Sequence, residues 1–192
     1  FQYFYGRAAS IMRNRGKWFT WRGYDIMPTY HPAFLLRQTG HELVESKWQV
    51  YYDFKAAVEK AKAAMAVFSS LEQSAAFALS DNILLYHSLP DELSTREFLN
   101  RWHGRKHFFL PRVNGLNLEI LPYDSSRMAL GAFHIEEPQG TDTCDISQIE
   151  MIVVPAVAYD RRGNRVGRGK GYYDRLLADS HATKVGVGYD FQ

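Results

Sequence analysis

Three glycines alternate with two cations in residues 167–171 (GRGKG), a spacing that suits the binding of an anion. Glycine at every second position lets backbone N–H groups approach an anion without a Cβ in the way. Arg168 and Lys170 add positive charge for phosphate oxygens. The run therefore predicts a phosphate-binding loop.

The residues after this loop fit the same chemistry. A helix that begins around Tyr172 would aim its N-terminus at the bound anion. Asp174, in the first turn of that helix, is well placed to hold a Mg²⁺ ion that bridges phosphates, because this ion prefers oxygen ligands.

The alternative for residues 167–171 is a glycine-rich turn with solvated basic side chains, since short motifs often match by chance. The spacing is neither the Walker P-loop nor the dinucleotide fingerprint. The four-residue gap before Gly-Lys-Ser/Thr and the Gly-x-Gly-x-x-Gly pattern are both missing. The loop therefore indicates another kind of phosphate-using protein.

The elements that would position the loop follow an α/β pattern, in which short apolar runs alternate with amphipathic helices after residue 80. Residues 151–154 (MIVV) are continuously apolar and predict a central strand buried on both faces. The other predicted strands cover residues 83–86, 108–110, 116–120 and 185–187. A helix is predicted over Thr95–Trp102, with a capping box formed by Ser94 and Glu97.

The first third of the chain has a different character. Residues 1–45 are rich in loops, and a long helix is predicted from Ser46 to about Leu71. Its apolar residues recur at alternating steps of three and four along one face, namely Tyr51, Phe54, Val58, Ala61, Met65 and Phe68. We place a domain boundary near Ala64, which divides the chain into residues 1–64 and 65–192.

Charge also separates the two parts. Residues 1–62 hold 10 Lys and Arg against 5 Asp and Glu, whereas the remainder holds 13 against 16. A basic module points mildly to phosphate or nucleic acid, and a solvated basic face is the alternative.

The single cysteine, Cys144, excludes an internal disulfide and cannot alone hold zinc or an iron–sulfur cluster, and it indicates a reducing cytoplasm. No apolar run approaches the ~20 residues that a membrane helix needs, and no signal pattern opens the chain. The lack of an initiating Met indicates a trimmed or partial chain.

Residues 154–174 resemble the signature of the 5-formyltetrahydrofolate cyclo-ligase family, also called methenyltetrahydrofolate synthetases. The resemblance extends in order through residues 85–95, 110–113 and 133–138, so that it covers residues 66–192. It implies a Rossmann-like open α/β sheet of the cyclo-ligase type, here preceded by a small α/β fragment.

The resemblance also implies an activity, the ATP- and Mg²⁺-dependent closure of 5-formyltetrahydrofolate to 5,10-methenyltetrahydrofolate through a phosphorylated formyl intermediate. Arg168 and Lys170 would be catalytic, Asp174 would bind the metal, and Glu92 and Tyr172 would contact the folate, with Tyr173 as an alternative to Tyr172. For Glu92, an exposed loop carboxylate is the other interpretation. ATP would be bound by Arg165, Gly167, Arg168, Gly169, Lys170, Gly171, Tyr172 and Tyr173.

The sequence departs from this family pattern in several places. His134 and Ala156 stand where the family usually has glycine. The family's opening helix, with a Lys and an Arg that reach ATP, has no aligned counterpart, and Lys60 or Lys62 are the candidate substitutes. The family's C-terminal tail, which supplies a second metal ligand, would follow Gln192. These departures predict a fold that is incomplete at its ends.

Residues 1–64 resemble the C-terminal segment of the iron–sulfur uracil-DNA glycosylases, through residues 15–18, 27–37 and 48–58. In that family the histidine of the His-Pro-x-x-Leu-Leu-Arg run stabilises charge on the departing uracil, so His31 and Arg37 would carry the glycosylase-like roles. A structural His-Pro turn is the alternative. The catalytic half and the cluster cysteines would lie upstream of Phe1.

The two resemblances together predict a fusion protein. Besides the cyclo-ligase, they leave two hypotheses open. One is a glycosylase or DNA-binding remnant in base-excision repair, with weak DNA contact through residues 1–62. The other is a non-catalytic relic of both families.

Overall fold

The computed structural model describes residues 10–21, 24–131 and 135–189. The chain divides into two compact units, Phe1–Ala63 and Ala64–Gln192. No helix in the described residues is long and apolar enough to cross a membrane.

The first unit is built from short elements and the first part of one long helix. The described elements are helix α1 (Ile11–Asn14), an antiparallel hairpin of β1 (Phe19–Trp21) and β2 (Tyr24–Ile26), helix α2 (Pro32–Leu35) and helix α3 (Gly40–Glu72).

Ion pairs use part of the basic charge of this unit. Asp53, which is buried, accepts hydrogen bonds of 2.6 Å from both Arg15 Nη1 and Thr29 Oγ1. Lys60 Nζ lies 2.7 Å from Asp25 Oδ2 and 4.3 Å from the centre of the Trp18 ring. Arg15 and Lys60 therefore stabilise the unit rather than forming a solvated basic face.

Helix α3 begins six residues earlier than the predicted Ser46, at Gly40, and ends at Glu72. Most of the predicted apolar stripe is open to solvent in this structure. Phe54 is 61% exposed and Met65 is 52% exposed, whereas Phe68, in the second unit, is 4% exposed. The helical periodicity was therefore informative about the helix and not about burial of its apolar face.

A five-stranded sheet forms the centre of the second unit. Its strands are β3 (Asn82–Leu84), β4 (His107–Asn114), β5 (Asn117–Pro122), β8 (Met151–Pro155) and β11 (Thr183–Val187). Their order across the sheet is β11-β8-β3-β4-β5, and neighbouring strands are parallel except for the antiparallel β4–β5 hairpin. The predicted open α/β sheet is thereby confirmed.

The remaining elements of the second unit cover the sheet or connect its strands. They are helices α4 (Ala75–Leu79), α5 (Arg96–Trp102) and α6 (Tyr172–Ala178), a 3₁₀ turn (Ile146–Gln148), and the two-stranded pairs β6 (Met128–Leu130) with β7 (Glu136–Pro138) and β9 (Ala158–Tyr159) with β10 (Arg165–Val166).

Strand β8 is buried along its whole length, as its apolar run predicts, and it lies inside the sheet between β11 and β3. Leu84, Ile152 and Val154 belong to one cluster of the core, against which Tyr173 and Leu176 of α6 pack. The short helix α6 is therefore attached to the middle of the sheet by its apolar side.

The predicted capping box at the start of α5 is wrong. The N-cap residue is Thr95, whose side chain makes no capping bond because its hydroxyl donates to the carbonyl oxygen of Tyr86 at 2.9 Å. Glu97 pairs instead with Arg101 one turn further along the helix, at 3.1 Å. A tertiary hydrogen bond thus replaces the local one.

Candidate functional site

A pocket with a volume of about 370 Å³ lies at the edge of the sheet where the parallel strands β3 and β8 end. The segments that follow these strands, residues 85–95 and 156–171, both contribute to its wall. In open parallel sheets, ligands bind outside the carboxyl ends of the strands. The pocket occupies the position at which such a fold binds its ligands.

The glycine loop forms one side of this pocket, and two of its glycines have backbone conformations that other residues rarely adopt. Gly169 has a φ of +79° and Gly171 a φ of +69°, and Gly171 is the N-cap residue of α6. A Cβ atom on Gly171 would lie 2.6 Å from Nη1 of Arg175. The loop thus needs glycine for its backbone path, and an added Cβ at Gly171 would displace the end of the Arg175 side chain.

Arg168, one of the two cations of the loop, contacts two carboxylates. Nη2 of Arg168 is 2.8 Å from each carboxylate oxygen of Asp91, and its Nε is 3.6 Å from Oε1 of Glu92. Lys170 lines the pocket beside it. The carbonyl oxygen of Lys170 accepts a hydrogen bond of 3.1 Å from Arg175.

Asp174 lies in the first turn of α6, and its side chain is 69% exposed. Its carboxylate pairs with Nη2 of Arg165, whose Nη1 donates to the carbonyl oxygen of Pro155 at 3.3 Å. The described residues contain no group of three His, Cys, Asp or Glu side chains arranged to hold a metal ion. A Mg²⁺ ion held by one carboxylate together with phosphates needs no such group, so an accessible Asp174 fits this type of site.

Glu92 is largely covered in the pocket wall, which contradicts the interpretation as an exposed loop carboxylate. Its side chain is 13% exposed, and Oε2 accepts a hydrogen bond of 2.9 Å from the backbone N–H of Leu89. Burial raises the pKa of Glu92 above its ordinary value, and the Leu89 N–H and the charge of Arg168 act in the opposite direction.

The turn that carries Glu92 is fixed from several sides. The Tyr86 hydroxyl donates to the carbonyl oxygen of Leu93 at 2.8 Å, and the Tyr189 hydroxyl donates to that of Glu92 at 3.3 Å. Thr95 bonds to Tyr86, as described above. The Glu92 carboxylate is therefore held on a rigid turn.

The two tyrosines that follow the glycine loop lie in different surroundings. The Tyr172 hydroxyl donates to the carbonyl oxygen of Gly115 in the β4–β5 turn at 3.3 Å. The Tyr173 ring is packed against the core, with the Arg165 guanidinium 5.6 Å from its centre, and burial raises the pKa of its hydroxyl. Both residues line the pocket.

Several pocket residues were missed by the sequence reasoning. The wall includes His87 and Glu137 as well as an apolar group formed by Leu89, Pro111, Val113 and Leu118. Nε2 of His87 lies 3.7 Å from Oε2 of Glu136. Burial, aided by the charge of Arg96, lowers the pKa of His87 to about 4, so this side chain is neutral at pH 7. An isolated histidine after a strand gives no sequence signal for such a position.

The residues at which the sequence departs from the family pattern lie in different parts of the structure. Ala156 lines the pocket, whereas His134 lies outside the described residues. Lys60, a candidate substitute for a missing ATP contact, is engaged with Asp25 in the first unit, and Lys62 is exposed on α3.

The glycosylase-like residues His31 and Arg37 are exposed side chains of the first unit. His31 is the N-cap residue of the four-residue helix α2, where its Nδ1 accepts a hydrogen bond of 3.1 Å from the Ala33 N–H. This contact is the structural role that a His-Pro turn would have. A glycosylase-like or DNA-binding role for these residues stays a prediction.

Comparison with known proteins gives one consistent result. The model of the 5-formyltetrahydrofolate cyclo-ligase family matches residues 36–192, so that the match begins upstream of the motifs at residues 85–95 and includes helix α3. The sequence resemblance placed its start at residue 66.

The curated relatives include the 5-formyltetrahydrofolate cyclo-ligases of Haemophilus influenzae and Escherichia coli. The first is 31% identical over 121 residues, which cover 58% of this chain and 64% of the relative. The second is 29% identical over 119 residues, which cover 58% and 65%. The matched part of the chain therefore spans slightly less than two thirds of these relatives.

Solved structures agree with the sequence relatives. The 5,10-methenyltetrahydrofolate synthetase of Aquifex aeolicus superposes with a TM-score of 0.64 at 33% identity, covering 70% of each chain. The synthetase of Mycoplasma pneumoniae has a TM-score of 0.54 at 23% identity, covering 70% of this chain and 76% of that one, and supports the fold alone. Because the family model matches most of this chain, residues 36–192, the chain belongs to the 5-formyltetrahydrofolate cyclo-ligase family.

Proposed function

We propose that this chain carries out the ATP- and Mg²⁺-dependent closure of 5-formyltetrahydrofolate to 5,10-methenyltetrahydrofolate. The observation that carries the proposal is that the glycine loop and the largely covered Glu92 line one pocket. A site for phosphate and a site for a flat heterocycle are thereby adjacent. We assign the reaction to the cytoplasm, which the single cysteine indicates.

The chemistry needs both sites because the formyl oxygen is a poor leaving group. In the proposed reaction this oxygen attacks the γ-phosphorus of ATP, and ADP leaves. N10 of the folate then attacks the activated formyl carbon, the C–O bond breaks, and inorganic phosphate leaves while N10 loses its proton. The cyclic methenyl cation is the product, and no oxidant or reductant is consumed.

The glycine loop is assigned to ATP. Backbone N–H groups of Gly167, Gly169 and Gly171 would bind phosphate oxygens, with Arg165 and the rings of Tyr172 and Tyr173 beside them. Arg168 and Lys170 would stabilise the charge that develops on the transferring phosphoryl group. The location of these residues in one wall of the pocket supports the assignment.

Asp174 is assigned to Mg²⁺, which when bound would neutralise charge on the phosphate oxygens. For this role its carboxylate would exchange the guanidinium of Arg165 for the metal, and Arg165 would then be available to a phosphate oxygen.

The folate is assigned to the part of the pocket that Glu92 lines. Glu92 would accept hydrogen bonds from N–H groups of the pterin ring, and Tyr172 or, as the alternative, Tyr173 would border the substrate. The apolar residues Pro111, Val113 and Leu118 provide a surface for the faces of the ring.

The test is the appearance of methenyltetrahydrofolate absorbance when the protein is mixed with 5-formyltetrahydrofolate. We expect turnover that requires both ATP and Mg²⁺ and that Lys170→Ala reduces by about 10²–10³-fold. Lys55→Ala, which removes an exposed lysine of α3 in the first unit, is the matched control. Absence of turnover in a folded protein, with the control variant equally inactive, would refute the proposal.

A further inference from the structure

Arg168 joins two parts of the pocket that are distant in sequence. It belongs to the glycine loop, yet its guanidinium contacts Asp91 and Glu92 in the turn after β3, 77 positions away from Asp91. Both carboxylate oxygens of Asp91 bind the same nitrogen, Nη2, at 2.8 Å. The cation assigned to the phosphoryl group is therefore held by carboxylates in this structure.

The two partners differ in how firmly they are placed. The turn with Asp91 is anchored by the hydroxyls of Tyr86 and Tyr189, which bond to backbone carbonyl oxygens on the C-terminal side of Asp91. Arg168, by contrast, lies between Gly167 and Gly169, and its side chain is 47% exposed. Asp91 thus stands on an anchored turn with a side chain that is 66% exposed, and Arg168 is a long cation that can exchange this carboxylate for another anion.

Carboxylate and phosphate oxygens compete for a guanidinium, because both accept the same charge-assisted N–H donors. We propose that Asp91 is a positioning residue that competes with the nucleotide phosphates for Arg168, so that nucleotide binding transfers Arg168 from the turn after β3 to the phosphates. This inference rests on the proposed use of ATP.

The transfer would also change the folate side of the pocket. Nε of the same guanidinium lies 3.6 Å from the Glu92 carboxylate, and movement of Arg168 toward phosphate removes that nearby charge. One side chain would therefore connect the residue assigned to the pterin with the residues assigned to ATP. Binding of either ligand would then change the affinity for the other, and the factor would be the same in both directions.

The competition makes an unusual prediction for a substitution near a binding site, namely a gain in affinity. Asp91→Asn keeps the shape of the side chain and removes its charge. Since exposed ion pairs are weak, we expect MgATP to bind about two- to fivefold more tightly to this variant, as measured by titration calorimetry. The difference should shrink as salt is added.

Two further variants separate competition from a structural role. Asp91→Glu retains the charge and should bind MgATP with nearly the wild-type affinity. Asp81→Asn is the matched control, because it removes an exposed aspartate that lies 3.6 Å from Lys106 near the start of β3. Loss of a purely structural contact would weaken binding and lower the melting temperature, and would not tighten binding.

The outcomes distinguish this inference from the proposed function. If the wild-type protein binds MgATP and Asp91→Asn binds it equally or less well, the competition is refuted and the ATP-dependent reaction stands. If the wild-type protein binds no MgATP, both are refuted. Tighter binding by Asp91→Asn alone supports the transfer of Arg168.

Discussion

The carboxylate of Asp174 is bound to the guanidinium of Arg165, nine positions earlier in the chain and on the other side of the glycine loop. A predicted metal ligand is therefore paired with a predicted phosphate ligand. The two charges balance each other in this structure, and in the proposed reaction Asp174 would exchange its partner for Mg²⁺ and Arg165 would exchange its partner for phosphate.

From this pair we expect that Asp174→Asn raises the Mg²⁺ concentration needed for half-maximal activity by about tenfold or more, because an amide is a weaker metal ligand than a carboxylate. Magnesium titrations at saturating ATP measure this shift. Asp179→Asn is the matched control, since Asp179 is an exposed residue that ends the same helix. An unchanged magnesium requirement in Asp174→Asn would remove this residue from the metal site.

The raised pKa of Glu92 has a consequence for stability. The folded protein holds the Glu92 proton at pH values above the ordinary pKa of 4.5, so ionisation of Glu92 at higher pH reduces the free energy of unfolding. Glu92→Gln removes this effect. We expect the variant to melt at a higher temperature than wild type at pH 7 and at the same temperature near pH 4, while losing affinity for the folate. A lower melting temperature at pH 7 would contradict this account.

His87 has the opposite shift and the opposite dependence. Its pKa is lowered from 6.5 to about 4, so the unfolded chain takes up a proton between these values before the folded chain does. Stability therefore falls as the pH is lowered from 6.5 to about 4, by roughly 3 kcal/mol if the whole shift acts. Urea denaturation of His87→Gln should show a smaller loss over this interval. His181→Gln, at an exposed histidine, should lose as much as wild type.

Gly171→Ala tests the backbone of the glycine loop. We expect a loss of about 1–2 kcal/mol in the free energy of unfolding from the positive φ, and a further loss because the new Cβ would meet Arg175. Gly163→Ala shares the positive φ and has no atom within 4 Å of the added Cβ, so it measures the backbone cost alone. Equal effects of the two substitutions would show that the arginine simply moves aside.

Much of the sheet could be predicted because its signals are local. A continuously apolar run such as that of β8 is suited to a strand with both faces covered, and its five residues are buried as expected. The start of α3 could not be predicted in the same way, because Gly40 is a residue that usually ends helices. The apolar stripe of α3 gave the correct period, but no sequence pattern states which neighbour, if any, covers a helical face.

In the candidate site, too, only the local features could be predicted. The proposed chemistry of residues 167–171 follows from residue type and spacing. The environment of Glu92 depends instead on a turn that is held by the hydroxyls of Tyr86 and Thr95, from the same segment, and of Tyr189, 97 positions away. Asp91 and His87 give no signal by themselves. The role proposed for Asp91 depends on its contact with Arg168. The lowered pKa of His87 depends on burial and on the charge of Arg96, and its ion-pair distance is to Glu136.

Helix α6 has only seven residues, fewer than a helix needs to persist alone in water. The helix is attached to the β4–β5 turn by hydrogen bonds. Tyr172 donates to the carbonyl oxygen of Gly115, and Arg175 donates to that of Leu116. A synthetic peptide with the sequence of residues 165–179 would therefore be unstructured and would have no defined anion site. The predicted phosphate-binding motif is a single stretch of sequence, but the geometry that it has in this structure depends on the assembled sheet and would be lost without the β4–β5 hairpin.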